Sequence, residues 1–282
     1  MRNHSENVMK VVFLTAACVS ILAVVLICVF LLSSGIPAIR EIGISDFLLG
    51  RTWKPNQDLY GIFSMIIGSI YVTAGAIIIG VPIGLLCAVF MARYCPRKLY
   101  IIIKPAVDLL AGIPSIVYGF FGLMVIVPII QNSFGGSGKG LLTSSILLGI
   151  MILPTIISVS ESNIRAVPES YYEGALALGA TRERSIFRTV LPAAKMGILT
   201  GIILGIGRAI GETMAVVMVC GNQAIMPESI VSGVRTLTAN IVLEMGYASG
   251  LHRESLIATA VVLFVFILII NLSFMALKRR ND

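Results

Sequence analysis

Apolar residues in this chain neither alternate with polar ones nor keep to one stripe of a helix; they come in long unbroken runs. A helix needs about 20 apolar residues to cross a hydrocarbon core. Six runs reach that length, at positions 11–32, 62–91, 107–130, 141–160, 196–220 and 256–277. The missing period of two argues against a transmembrane barrel. The expectation is an all-α integral membrane protein with six transmembrane helices. The second run is longer than the bilayer requires and is expected to tilt or to project. The first is longer than the roughly 7–15 residues of a secretory h-region and lacks a clean small-x-small cleavage site, so it reads as a retained helix.

Composition agrees: 57% of residues are hydrophobic and 12% charged, against about a quarter charged in soluble domains. The charges that remain set orientation. Of the 21 Lys and Arg, 14 fall on one side of the six runs: Arg2, Lys10, Arg93, Arg97, Lys98, Lys104, Arg165, Arg182, Arg184, Arg188, Lys195, Lys278, Arg279 and Arg280. Arg40, Arg51, Lys54, Lys139, Arg235 and Arg253 fall on the other, and Arg208 stands inside a run. The excess of positive charge marks the cytoplasmic side, which places both termini there. Topology thus accounts for the net charge of +7 without a nucleic-acid partner. The cysteines at 18, 28, 87, 95 and 220 show no CxxC spacing and read as small core hydrophobes. His4 and His252 are far apart and without evident partners, so no metal and no cofactor is expected.

The loop Gly135-Gly136-Ser137-Gly138-Lys139-Gly140 invites comparison with a phosphate-cradling P-loop. The motif requires Gly at 133 and Ser or Thr at 140, where the chain has Ser133 and Gly140. It reads as a flexible external turn, so any ATPase must be another chain. Two small-residue seams look like close helix packing. One is Gly80-x-x-x-Gly84; the other is Gly197, Gly201, Gly205 and Ala209 at every fourth position.

The cytoplasmic stretch 165–195 is more ordered in pattern than a linker needs. Pro168-Glu169 opens a helix, as proline in the first turn and an acid at the positive helix end do. Gly179 stops that helix, and Thr181 caps a second that must end near Pro192. Helix, glycine elbow and helix would offer Tyr172, Ala175, Leu176 and Leu178 as apolar knobs to a groove on a partner.

The spacing Glu173-Gly174-Ala175, Gly179, Leu191-Pro192 resembles the EAA loop of ABC importer permeases, departing from it at Gly174 and Thr189. In that family the loop docks into a cleft on a cytoplasmic ATPase, so the resemblance gives those six motif residues a coupling role. Two more stretches resemble phosphate-uptake permeases of the PstC type: Leu110-Ala111-Gly112-Ile113-Pro114-Ser115-Ile116-Val117-Tyr118-Gly119-Phe120-Phe121-Gly122 and Gly207-Arg208-Ala209-Ile210-Gly211-Glu212-Thr213-Met214-Ala215. The resemblance spans roughly residue 62 to the C-terminus. It implies a type I ABC importer permease architecture in a bacterial cytoplasmic (inner) membrane. It also implies a PstA-type companion permease, an ABC ATPase dimer and an external phosphate-binding protein. The expected division is 1–60, a first helix with an external segment, and 61–282, a permease core containing the coupling loop 165–195.

Arg208 and Glu212, four apart in a continuous helix, would share one face. They read either as an ion pair beside the packing seam or as an anion ligand with its tuning carboxylate. A central arginine costs about 2.5–3.5 kcal/mol on insertion scales, and leucine would serve packing without that cost, which favours the ligand reading. Guanidinium is permanently charged and its fork of donors matches phosphate oxygens. Glu212 would weaken binding enough for release. Ser115, Tyr118 and Thr213 add hydroxyls at membrane depth, although such hydroxyls more often bond the backbone or a neighbouring helix. Glu161 and Arg165 form a second pair of the same spacing, read as solvated at a helix end.

Three alternatives stay open on residues alone: a permease for sulfate or molybdate, a channel or secondary transporter, and a membrane scaffold without transport. The external stretch 33–60, with Trp53, reads as an interfacial anchor or a contact for the binding protein. Within 222–254, residues 230–245 read as an external or partly re-entrant helix.

Overall fold

A computed structural model describes the backbone of residues 2–281, and the side chains of residues 8–273 and of Ala276. Arg2, His4, Lys278, Arg279 and Arg280, used above for orientation and metal binding, lie outside the described side chains.

The first run is the lower part of a long helix, α1 (Arg2–Ile42), followed by α2 (Ile44–Leu49) and a hairpin of β1 (Trp53–Lys54) with β2 (Leu59–Tyr60). Then come α3 (Phe63–Val89), closed by a π-turn at Phe90–Tyr94, and α4 (Arg97–Gly112). Next are α5 (Ser115–Phe121), a π-turn at Gly122–Ile126 and α6 (Val127–Phe134). The longest buried helix is α7 (Leu141–Arg165). After it follow α8 (Glu169–Ala177), α9 (Arg182–Ser185), a π-turn at Ile186–Val190 and α10 (Leu191–Ala193). The chain ends with α11 (Lys195–Gly211), α12 (Met214–Val219), α13 (Leu237–Glu244) and α14 (Gly250–Asn281).

Among the described residues, five helices are long and apolar enough to span a bilayer: Val8–Ile42, Phe63–Tyr94, Ser115–Phe134, Leu141–Arg165 and Gly250–Ser273. The run at 196–220 begins with α11, which joins the 165–195 segment through a 70° bend.

α7 is the centre, because the small residues of its two neighbours let their backbones approach it. A methyl at Gly80 of α3 would stand 2.8 Å from the Gly149 carbonyl, and one at Gly201 of α11 would stand 2.9 Å from Ser160 Oγ. Both seams therefore close on one helix and share its Ile152 and Ile156. Without a hydrophobic drive between helices in lipid, this contact is what holds the bundle together. Leu147, Leu148, Met151, Ile152 and Ile156 fill the space between, all but completely buried.

Two runs read as continuous are broken. The run at 107–130 divides where Ile113 and Pro114 turn extended (ψ 127° and 140°). Pro114 disfavours helix at Ile113 and cannot donate a backbone bond. The span therefore begins at Ser115, and α4 forms a separate helix packed on α7 through Val107 and Ile157. The run at 196–220 divides at Glu212, whose ψ of 132° ends α11 before α12 starts. The external segment after α12 is folded, with only Leu237–Glu244 of the expected 230–245 helical. Its backbone bonds α7 through Leu141 N to Ser232 O (3.0 Å) and Leu142 N to Ile230 O (2.8 Å). The Leu237 amide donates to Ser69 Oγ on α3 (3.0 Å). Trp53 is 7% exposed and packs in a buried cluster with Phe47, Tyr60 and Leu237, so it is not an interfacial anchor.

Candidate functional site

The break at Glu212 changes the geometry of the charged stretch. Arg208 lies in the last turn of α11, and Glu212 caps its end, where the backbone turns extended toward α12. Among the described residues no ion pair joins them. The Glu212 carboxylate instead accepts the Ala215 amide (3.2 Å), filling one of the unpaired donors at the start of α12. The Glu212 carbonyl accepts from Thr238 Oγ1 of α13 (3.0 Å). Arg208 Nη1 meets Thr155 Oγ1 of α7 at 3.5 Å. Thr155 follows Pro154 in the middle of α7. A half-buried guanidinium with one long contact keeps most of its five donors for something else.

The hydroxyl candidates divide. Thr213 caps nothing with its side chain; its Oγ1 donates to the Gly211 carbonyl (3.2 Å) across the break. Tyr118 is 6% exposed, and its hydroxyl donates to the Leu110 carbonyl (2.8 Å), which ties α5 to α4 across the other break. Ser115 is half-buried at the first position of α5. The two broken runs lie side by side: a methyl at Gly119 of α5 would stand 2.9 Å from Ala215 Cα of α12. The fold thus brings Ser115 and Tyr118 onto a helix packed against the one that Glu212 and Thr213 begin, with Arg208 at the end of the preceding helix and turned toward α7.

On the coupling loop, α8 carries Glu173, Gly174 and Ala175, and Gly179 stands at φ +84°, a left-handed conformation that glycine adopts without strain. The Thr181 side chain accepts the Arg184 amide (3.3 Å), as a cap does. The second arm, Arg182–Ala193, includes a π-turn just before Leu191 and Pro192, whose ring denies the helix one backbone bond. Of the expected knobs, Leu178 is 91% exposed and Leu176 38% exposed. Ala175 is half-buried, and Tyr172 turns inward onto the cluster of Ile164, Ile186 and Val190. Tyr171, at 51% exposure, and Phe187, at 53%, take the vacant places.

Two polar clusters were not foreseen. At the C-terminal end of α7, Glu161 is 3% exposed and pairs with Arg165 Nε. It also accepts from the Tyr100 hydroxyl (3.0 Å) and faces Lys104 Nζ at 3.8 Å. The guanidinium of Arg165 stacks over the Tyr100 ring at 4.0 Å and donates to the Met91 carbonyl (2.7 Å). The pair is bonded, with Glu161 buried and the Arg165 side chain 43% exposed, so only its arginine is solvated.

In the second cluster, Glu244 accepts from Arg235 Nη1 (2.6 Å) and Trp53 Nε1 (2.9 Å) and bonds His252 Nε2 (2.8 Å). His252 therefore has partners, and Arg235 is a structural cation here. A cavity of 540 Å³ opens beside them, lined in part by Asp58, Tyr60, Tyr247 and His252. Burial, and then Asp58, hold the Tyr60 phenol above its ordinary range. Trp53 and Glu244 are 191 residues apart, so no local spacing pointed to their contact.

Residues 80–282 match the family described as binding-protein-dependent transport system inner membrane component. A probable ABC transporter permease protein, YqgH of Bacillus subtilis (strain 168), is 37% identical over 280 residues, covering 96% of this chain and 91% of that protein. The phosphate transport system permease protein PstC of Mesorhizobium japonicum is 38% identical over 254 residues, covering 83% of this chain and 77% of that one. Among solved structures, an inward-facing MetNI methionine ABC transporter aligns with a TM-score of 0.62 at 20% identity, over 82% of this chain and 100% of that one. At that identity the likeness establishes the fold, the type I ABC importer permease architecture.

Proposed function

The chain belongs to the family of binding-protein-dependent transport system inner membrane components, and from that premise we propose that it is the permease subunit of an ATP-driven importer of inorganic phosphate. It sits as a multi-pass protein in the bacterial inner membrane with both termini cytoplasmic. It works beside a companion permease, with an ATPase dimer on the 165–195 loop and a phosphate-binding protein outside. Relatives named as phosphate transport permeases, 38% identical in one case, support the cargo.

The observation that carries the reading is Arg208. Its guanidinium lies at membrane depth, where charge is costly; the nearby carboxylate of Glu212 is engaged at Ala215 N, and Thr155 is the one polar contact among the described residues. Such a group offers a transient anion paired donors in a geometry phosphate fits. Glu212 holds the helix break open and leaves one negative charge near the path, which keeps binding weak enough for release. Ser115, Tyr118 and Thr213 line the surroundings of the two breaks. At the loop, Glu173, Gly174, Ala175, Gly179, Leu191 and Pro192 form the face that the ATPase engages.

The test is Arg208→Leu in cells dependent on this chain. Labelled phosphate uptake is expected to vanish while the complex still assembles, and normal uptake would refute the role. Running labelled sulfate in parallel separates phosphate from another oxyanion.

A further inference from the structure

We infer that Arg93 is a positioning residue that locks the coupling loop to the cytoplasmic ends of α3 and α7, so that movement of the loop reaches Arg208 through α7. The inference rests on the proposed function, because it takes the ATPase to push on that loop.

Arg93 stands in the π-turn that closes α3, and its side chain is 11% exposed. Its Nη1 pairs with Glu169 Oε2 of the first turn of α8 at 2.8 Å. Its Nη2 donates to the Ile164 carbonyl in the last turn of α7 (3.2 Å). Its own carbonyl accepts from Arg182 Nη2, at the start of the second arm (2.8 Å). The Arg182 guanidinium also lies 5.0 Å from the centre of the Tyr94 ring, and that of Arg93 lies 6.0 Å from the Tyr172 ring. Both arms of the helix–elbow–helix are thus fastened to one residue, the first through its side chain and the second through its backbone.

The joint at the other end is different. Between Ala193 and Lys195 the chain bends by 70° into α11. The helix that bears Arg208 follows the loop in sequence, yet the charged ties run to α3 and α7. From Arg165, α7 runs unbroken back to Thr155, about 15 Å along a helix axis. There its hydroxyl meets Arg208. A rigid helix fastened to the loop at one end and touching the anion site in the middle makes a lever. The Arg93–Glu169 pair adds little stability, because Glu169 is 59% exposed. Removing that carboxylate loosens the joint while leaving the fold intact.

The test uses the whole complex reconstituted in liposomes with the companion permease, ATPase and binding protein, and reads ATP hydrolysed per phosphate moved. For Glu169→Gln, and more so for Arg93→Gln, that ratio should rise by about fivefold or more, the range of a typical coupling between sites. ATPase recovered with the permease should stay at the wild-type level. An unchanged ratio in the assembled complex overturns the inference. So does loss of the ATPase from Glu169→Gln, which would make Glu169 a docking contact and not part of a joint. Should Arg93→Gln fail to assemble, Glu169→Gln and Arg182→Gln decide alone. Wild-type liposomes that move no phosphate would instead sink the proposed function, so the two failures are distinct.

Discussion

Two Arg–Glu pairs in this chain have the same spacing and opposite fates. Glu161 and Arg165 sit in the unbroken last turns of α7 and bond each other, with Tyr100, Lys104 and the Met91 carbonyl completing the shell. Arg208 and Glu212 straddle the end of α11; one turns to Thr155 and the other to Ala215 N. Spacing of four does not by itself make a pair, because a carboxylate at a helix end can instead bond an unpaired amide of the next helix. The first pair is a fixed structural element, because every lone pair of a buried carboxylate has a claimant. The second leaves a cation only partly satisfied, which suits a group that must bind and release.

The largest expected difference tests the first pair. Glu161→Ala removes a buried carboxylate and the bonds it accepts from Arg165 and Tyr100, at a cost of about 3 kcal/mol. Thermal unfolding of the purified complex should show the loss, while Arg208→Leu should leave the midpoint near the wild-type value. Equal destabilisation by both would erase the contrast.

Next in size is Arg208→Lys. The charge stays but the fork does not, so about one charge-assisted hydrogen bond is lost, roughly 1.5–3 kcal/mol or tenfold or more in uptake. Retained uptake with lysine would mean that only the charge matters. Glu212→Ala is expected to weaken the start of α12 by about 1 kcal/mol, the worth of a helix cap, read as a small drop in midpoint. Were Glu212 the ion-pair partner of Arg208, the same change would strand a charge and cost several times more.

What was legible in the residues follows the same division. The runs at 62–91 and 141–160 correspond to α3 and α7, which continue through Pro82 and Pro154 and whose seams are built from small residues visible as such. Gly179 and Thr181 were legible as elbow and cap, since a left-handed turn and an N-cap each depend on one residue type. The breaks at Pro114 and Glu212 were hidden, although Gly112-Ile113-Pro114 and Gly211-Glu212-Thr213 hold the signals. Apolar length outweighs a single breaker when runs are read by hydropathy, yet in lipid a break is tolerated wherever neighbours satisfy the freed backbone groups. Here Tyr118 bonds the Leu110 carbonyl and Thr238 the Glu212 carbonyl. The cluster of Trp53, Arg235, Glu244 and His252 was out of reach, because Trp53 lies 191 residues from Glu244 and the other three share no recognisable motif spacing.

The smallest effect is the most discriminating for the open cation. Thr155→Val keeps the shape of the side chain and removes the one hydroxyl that meets Arg208, at a distance of 3.5 Å that marks a weak bond. The loss is about 0.5 kcal/mol, roughly a twofold change in uptake, with an unchanged unfolding midpoint. Its direction matters more than its size. If Thr155 steadies the guanidinium for the anion, the valine variant needs more phosphate to reach half-maximal transport in liposomes. If Thr155 instead competes with the anion for Arg208, the valine variant binds phosphate more tightly and releases it more slowly, and maximal transport falls. A valine variant equal to wild type in both respects would leave Arg208 acting without α7, and would detach the anion site from the helix to which the coupling loop is fastened.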